Sequence, residues 1–361
     1  MMANRVFNFN PGPSTLPLEV LKIVQEELLD YRGTGMSIIE SSHRSPEYDE
    51  INETAITLVR EIFGLNDNYH VMFLTGGASQ QFFQIPMNFL VGGKTGAYID
   101  TGTWSNKAIK EANIVAKAYV AFDGKAVEYK HIPTQDELDI PADAAYLHVT
   151  TNNTIKGTQF HYIPETNLPL IADVSSDIAS RRLDYTKFIM FYAGSQKNLG
   201  PSGVTLVVMR DDLLQKSNEE LPTLLNYKTQ AEKKSLYNTP PSFSIYVVKL
   251  VLEWIKKQGG LHGIEKINEK KKDLIYGVID NNSDYFKGTV EKESRSWMNL
   301  TMRLPSEELE KKFISDAKAV GFVGLKGHRS VGGVRVSLYN ALPLEGAEKL
   351  AQFMEDFKKK N

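Results

Sequence analysis

Apolar positions recur along this chain with two periods, and the alternation between them lays out an order of elements. A helical period of three to four opens at Pro17, a favoured first helical position, and places Val20, Ile23, Val24, Leu28 and Tyr31 on one face before Gly33 stops it. A second helix starts at Ser45-Pro46, carries Ile51, Ala55, Leu58, Val59, Ile62 and Phe63, and ends at Gly64. Short apolar runs of strand length then follow in series: Val71–Leu74, Ala97–Ile99, Ala118–Phe122, Tyr146–Val149, Leu168–Ala172, Phe188–Tyr192 and Val204–Met209. Several are separated by helix-like stretches, which is the pattern of an α/β domain built on a mostly parallel seven-stranded sheet flanked by helices. Only Ala193 to Gly203 separate the last two runs, too few residues for a parallel crossover. The last strand is therefore predicted to run antiparallel to its predecessor.

Past Pro240-Pro241 a strongly periodic helix spans about 243–257 and stops at Gly259-Gly260. Helices near 264–280, 306–320 and 344–359, with strands near 297–302 and 333–338, read as a smaller α+β domain. The expected division is a large domain over 16–258, with 1–15 and 259–361 forming the small domain that closes the site between them. A chain of 361 residues suits two packed domains.

Composition narrows the function. Charged residues nearly cancel, 42 basic against 44 acidic for a net charge of −2, so there is no basic footprint for nucleic acid. The absence of cysteine excludes disulfides, thiolate metal sites and a cysteine nucleophile, and no metal is expected. That absence fits a reducing compartment, and the expected location is cytoplasmic. No stretch approaches the ~20 apolar residues of a spanning helix, the first ten residues hold no run resembling a signal peptide, and no membrane partner is expected.

Several residues stand where chemistry can occur. Thr75-Gly-Gly-Ala78-Ser79 follows a strand and precedes the helical run 80–90, so its backbone N–H groups and the helix dipole can hold an anion. Such turns are common and most bind nothing, and Pro86 should kink this helix. Trp104 is either a rim aromatic or a flat face for a ring to stack on. Asp173 ends a buried apolar run, where an unpaired carboxylate is costly; it serves either as an N-cap or as partner to a protonated ring nitrogen. Lys197 lies in Gly194-Ser-Gln-Lys-Asn-Leu-Gly-Pro-Ser-Gly203 between two strands. It is a snorkelling surface lysine, or an amine that burial and nearby cations make able to lose its proton for Schiff-base chemistry.

The segments Asp173-Val-Ser-Ser and Ala193-Gly-Ser-Gln-Lys197-Asn-Leu-Gly-Pro resemble the class V branch of the fold-type I pyridoxal 5′-phosphate (PLP) enzymes. Phe9-Asn-Pro-Gly-Pro13, Ser42-His-Arg-Ser45, Tyr237-Asn-Thr-Pro240 and the run Gly327–Asn340 extend that likeness over essentially the whole chain. The two His-Arg pairs narrow it to members acting on O-phospho-L-serine. The resemblance implies a fold-type I aminotransferase in which Lys197 carries the cofactor and shuttles the proton, Asp173 pairs with the ring nitrogen and Trp104 stacks on the ring. It further implies that Ala78, Ser79 and Gln196 hold the cofactor phosphate and that Thr154 lies near the ring hydroxyl. Asn238 and Thr239 would reach in from a second subunit, so a homodimer with shared sites is implied. Substrate would meet Arg44 and Arg335, with His43, His328 and Arg329 around its distal anion. One departure is Ser79, where some members carry an arginine that assists with substrate phosphate; here that duty passes to the remaining His and Arg residues.

L-Glutamate and O-phospho-L-serine both join an amino acid head to a distal anion, so one set of arginine forks can serve both. In the predicted strand 334–338, Val334, Val336 and Leu338 alternate inward, which turns Arg335 and Ser337 the other way, toward the interdomain cleft. Arg335 is the expected clamp for the α-carboxylate. Histidine, near its free pKa of ~6.5, suits a site that receives either a phosphate or a carboxylate. The implied reaction converts 3-phosphohydroxypyruvate and glutamate into phosphoserine and 2-oxoglutarate for serine biosynthesis, with a phosphorylated hydroxythreonine of vitamin B6 synthesis as a further candidate substrate. Two other readings stay open: a class V transaminase for uncharged donors, and a PLP-binding protein without catalysis.

Overall fold

The structure, a computed structural model, describes residues 5–361. The first four residues of the segment 1–15 assigned to the smaller domain lie outside the described residues. Strand β1 (Phe7–Asn8) is followed by α1 (Leu18–Glu27) and α2 (Pro46–Phe63). The start and stop signals of α2 act as read. Ser45 accepts from the Tyr48 N–H, and Gly64 takes the left-handed conformation at φ 65° that ends the helix. Helix α1 stops at Glu27, short of the expected Gly33. The cause is local: Asp30 accepts from Gly35 N at 2.8 Å, and Tyr31 N donates to Met36 O at 2.9 Å. An aspartate at that position offers the backbone a turn in place of another helical turn.

All seven apolar runs form strands of one sheet: β2 (Tyr69–Leu74), β3 (Thr95–Asp100), β4 (Lys117–Asp123), β5 (Leu147–Thr150), β6 (Leu170–Asp173), β7 (Met190–Gly194) and β8 (Thr205–Arg210). Their order is β2-β8-β7-β6-β5-β3-β4. Strand β8 is antiparallel to both neighbours and the remaining pairs are parallel, so the short Ala193–Gly203 connection has the predicted consequence. Helices α3 (Gly77–Phe89) and α4 (Thr103–Val115) cover one face, where Phe82, Ile85 and Ile109 meet Met72, Met190 and Tyr192. The first of these helices begins three residues earlier than the run 80–90 and continues through Pro86.

The opposite face of the sheet packs against α2 and, beyond the short helices α5 (Asp211–Leu214) and α6 (Tyr227–Glu232), against α7 (Ser242–Lys257). Alternation along each strand supplies both layers: in β7, Phe191 and Ala193 face one way, Met190 and Tyr192 the other. Helix α8 (Gly260–Asn281) leads to a second core built with β9 (Lys287–Gly288), β10 (Asn299–Arg303), α9 (Glu307–Ala319), β11 (Phe322–Val323), β12 (Val334–Ser337) and α10 (Leu344–Lys360). Ile264 of α8 belongs to the first core, and Ile275 and Ile279 belong to the second. The N-terminal segment returns to this second core, since β1 pairs in parallel with β11 through Phe7–Phe322 and Asn8–Val323.

Candidate active site

The C-terminal ends of the parallel strands, the place where open α/β sheets gather ligands, open onto a cavity of about 470 Å³. Thr150 ends β5, Asp173 ends β6, the first turns of α3 and α4 bring in Ala78, Ser79 and Trp104, and the bend after β7 brings in Gln196 and Lys197. From the second core, Arg335 on β12 and the loop residues His328 and Arg329 complete the wall. The volume falls inside the roughly 300–1,000 Å³ typical of small-molecule sites.

Lys197 reaches into this space from the bend between β7 and β8. Its Nζ donates to Thr154 Oγ1 at 2.8 Å and stands 5.9 Å from the centre of the Trp104 ring. The backbone beneath it is pinned, because Ser14 Oγ donates to its carbonyl and Ser14 N donates to Gln196 O at 2.9 Å. Burial pulls the ammonium down to about 8; the Asp173 and Asp177 carboxylates oppose this, and Arg335 adds to it. The amine is therefore within reach of its neutral, nucleophilic form near physiological pH.

Asp173 is buried, and its Oδ1 accepts from Ser175 N at 2.9 Å. Burial pushes its carboxyl up, while the hydrogen bonds from Ser175 and the charge of Lys197 hold it down. The two expectations for Asp173 do not exclude each other: one oxygen serves the backbone while the side chain lines the cavity.

Arg335 turns away from Val334, Val336 and Leu338 of the second core, as the alternation predicts, and lines the cavity. Its Nη1 donates to Thr154 O at 3.3 Å, and its buried Nε has no partner. Burial lowers its pKa from the ordinary arginine value. His328 holds its Nδ1 2.7 Å from Ser330 Oγ, and burial together with the charges of Arg335, Arg329 and Lys107 pulls its pKa down. An anion placed among these groups relieves their mutual repulsion.

The cavity suits a phosphorylated aromatic aldehyde on three observations of its own walls. Thr150 Oγ1, Trp104 Nε1 and Arg335 Nε are buried polar atoms with no partner, which a polar ligand would satisfy. Helix α3 starts behind Gly76, which lacks a capping side chain, and its first residues Gly77, Ala78 and Ser79 line the cavity, so their uncapped N–H groups suit an anion there. Lys197 and Asp173 supply an amine and a carboxylate on the same wall.

Four expected residues are not brought there by a single chain. Arg44 is exposed, and His43 is half-buried with its Nε2 unpartnered, in the loop that precedes α2. Asn238 lines a separate cavity of about 190 Å³ beside Phe73, Leu74 and Gln80. Thr239 is exposed next to it. Conversely, two residues escaped the sequence reading. Lys107 stands 4.6 Å from the Trp104 ring and lines the same cavity; its spacing of three from Trp104 on one helix was the available signal. Gly12, at φ 127°, leaves room for Lys197, since a Cβ there would come within 3.2 Å of Lys197 Cγ.

Comparison with known proteins adds an independent line. The family model for aminotransferase class V matches residues 6–350. A phosphoserine aminotransferase from Lysinibacillus sphaericus is 51% identical over 361 residues, covering 100% of both chains. Among solved structures, phosphoserine aminotransferase from Bacillus circulans subsp. alkalophilus superposes with a TM-score of 0.97 at 51% identity, covering 99% of each chain. Another phosphoserine aminotransferase, solved to follow radiation damage of its Schiff base, gives 0.97 at 50% identity over 99% of this chain and 100% of its own.

Proposed function

This chain belongs to the class-V aminotransferases, and from that premise we propose that it exchanges an amino group between L-glutamate and 3-phosphohydroxypyruvate, giving 2-oxoglutarate and O-phospho-L-serine. Its cofactor is pyridoxal 5′-phosphate. When bound, that group supplies an aldehyde for amines to condense with and an electron-withdrawing ring that stabilises charge developing at the substrate α-carbon. The observation that carries the reading is the meeting of Lys197, Asp173 and Arg335 on one cavity, with the amine pKa brought down to about 8.

In this reading Lys197 holds the aldehyde between turnovers. Once displaced from the aldehyde by the substrate's amine, its Nζ would be free to take the α-proton of glutamate and later to deliver one to the α-carbon of the incoming keto acid. Asp173 supplies the negative charge that keeps a ring nitrogen protonated, and Trp104 offers the stacking face. Thr150 and Thr154 hydroxyls, with the open N–H groups of α3 and Gln196, hold the polar rim of the cofactor. Arg335 clamps the α-carboxylate, and its link to the Thr154 carbonyl sets the fork in place before substrate arrives. His328 and Arg329 receive the distal anion, assisted by Lys107.

His43, Arg44, Asn238 and Thr239 are proposed to serve the site of a partner subunit in a homodimer. Support comes from their positions outside the cavity of their own chain and, for His43 and Arg44, from exposed apolar side chains on the loop that carries them, Leu29 (85% exposed), Met36 and Ile39. A cytoplasmic setting is proposed from the lack of cysteine. No helix among the described residues is long and apolar enough to cross a membrane.

The deciding assay couples 2-oxoglutarate to phosphoserine. With the cofactor loaded, phosphoserine should support glutamate formation at a kcat/KM far above alanine or aspartate. Equal rates with the uncharged donor would overturn the substrate assignment and leave the class intact. Loss of the borohydride-sensitive visible band in Lys197→Ala tests the cofactor amine separately.

A further inference from the structure

Helix α8 bridges the two cores, and its buried stripe changes character at the crossing. Ile264, Asn268, Lys271 and Ile275 follow the i, i+4, i+7, i+11 spacing of one helical face. The outer pair joins the two hydrophobic cores, whereas Asn268 and Lys271, both 0% exposed, lie between them. Burial pulls the Lys271 ammonium down to about 7, so it is fully charged only below that pH, and no carboxylate among the described residues lies within ion-pair distance to hold the charge.

What surrounds Lys271 is backbone. Its Nζ donates to the carbonyls of Tyr339 at 2.9 Å, Leu338 and Leu342 at 3.2 Å, and Asn340 at 3.5 Å. Carbonyl oxygens can only accept. An ammonium presents three N–H donors to this ring, whereas a neutral amine would present two and turn its lone pair on an oxygen. Convergent carbonyls of one chain segment are also how proteins hold monovalent cations.

We propose that Lys271 serves this fold as a tethered monovalent cation, whose carbonyl cage fixes the segment after β12 against the loop that carries Lys197. The segment is well placed for that role. Its first residues continue the strand of Arg335, and Tyr339 OH donates to Pro11 O at 2.9 Å beside the Gly12 turn. Its Asn340 joins three further pieces of chain. Asn340 N donates to Asn198 Oδ1 at 3.0 Å, Asn340 Nδ2 donates to Ala179 O at 2.9 Å, and Asn268 Nδ2 donates to Asn340 Oδ1 at 2.8 Å. Asn198 follows Lys197 in sequence. Lys271 is thus a positioning residue, acting on Arg335 and on the Lys197 loop through one backbone segment. The cage stands apart from the proposed reaction; only its kinetic consequence rests on that reading.

The experiment uses Lys271→Ala, which empties the cage while leaving its oxygens. Ammonium ion can restore hydrogen bonds of the same length, and tetramethylammonium carries the same charge without donors. Ammonium chloride should raise the melting temperature of Lys271→Ala saturably above matched tetramethylammonium chloride and leave the parent protein unmoved. kcat/KM, lowered on the order of tenfold to a hundredfold by loss of positioning, should recover along the same titration. An identical response to the two salts would overturn the proposal. Recovery of melting temperature without recovery of rate would keep the cation role and remove the link to the reaction. Should Lys271→Ala not fold, the parent protein with its cofactor loaded gives the answer by lysine-selective nitrogen-15 spectra. A three-proton ammonium shielded from exchange, with contacts to the α-protons of 338–342, is expected at pH 6, and its absence overturns the cage.

Discussion

At the scale of single residues, two titrating groups govern the candidate site. Lys197 has its ammonium pulled down to about 8 by burial, with Asp173 opposing. Only the neutral amine attacks an aldehyde, so recombination of the cofactor-free protein with pyridoxal phosphate should accelerate as pH rises through about 8 and then level off. Asp173→Asn removes a charge that favours the ammonium, so the midpoint of that profile should move down, read by stopped-flow absorbance. An unmoved midpoint would separate the two groups electrostatically. His328 behaves with the opposite sign. Its pKa is held down by burial and by three cations, so it is neutral at pH 7 until an anion arrives. Binding a distal anion raises that pKa, and affinity should therefore tighten as pH falls, by up to about tenfold per unit. O-Sulfo-L-serine is the appropriate probe, because its sulfate does not titrate in this range, and His328→Asn should flatten the dependence measured by calorimetry. Lys197 and His328 were both legible as candidates in the sequence. Their shifts were not, since desolvation depends on walls contributed by distant segments.

At the scale of elements, helix α3 is the proposed phosphate end of the cavity, which its first residues Gly77, Ala78 and Ser79 line. Gly76 sits at φ 87°, and a Cβ there would meet Gln80 Oε1 at 1.8 Å. Gly76→Ala should displace the first turn of α3 and weaken cofactor affinity by about tenfold or more, which corresponds to about 1.4 kcal/mol. Fluorescence titration of the cofactor-free protein checks this, and undiminished affinity would place the phosphate elsewhere. Elements with local causes were the ones the sequence displayed. Ser45 and Gly64 bound α2 through their own cap chemistry, and the eleven-residue spacing before β8 was enough to reverse that strand. Elements that depend on remote partners were not visible. The two-residue β1 gains its identity only from Phe322–Val323, and the cage around Lys271 is backbone, which leaves no residue pattern to read. Asn268 and Lys271 did leave one trace: polar residues interrupting an otherwise apolar stripe of α8.

At the scale of the whole molecule, the residues that one chain leaves outside its cavity decide what the functional unit is. His43 and Arg44 form one such group, Asn238 and Thr239 another, and both are carried on segments with exposed side chains. Periodicity carries no information on whether a residue serves its own site or a neighbour's, because local sequence is silent about symmetry. If the active unit is a two-fold dimer with exchanged residues, each site combines Lys197 of one subunit with Arg44 of the other. Lys197→Ala and Arg44→Ala should then each be strongly impaired as homodimers, yet complement when mixed and allowed to exchange subunits. In the hybrid, the site keeping Lys197 receives an intact Arg44 from the partner, while the other site loses both groups. Random exchange makes half the dimers hybrid with one working site in two, so activity should return to about a quarter of the parent value. If Arg44 instead serves its own chain, neither hybrid site holds both residues and mixing restores nothing. The same mixture therefore measures the assembly and the ownership of the anion site in one assay, with size-exclusion chromatography confirming that exchange occurred.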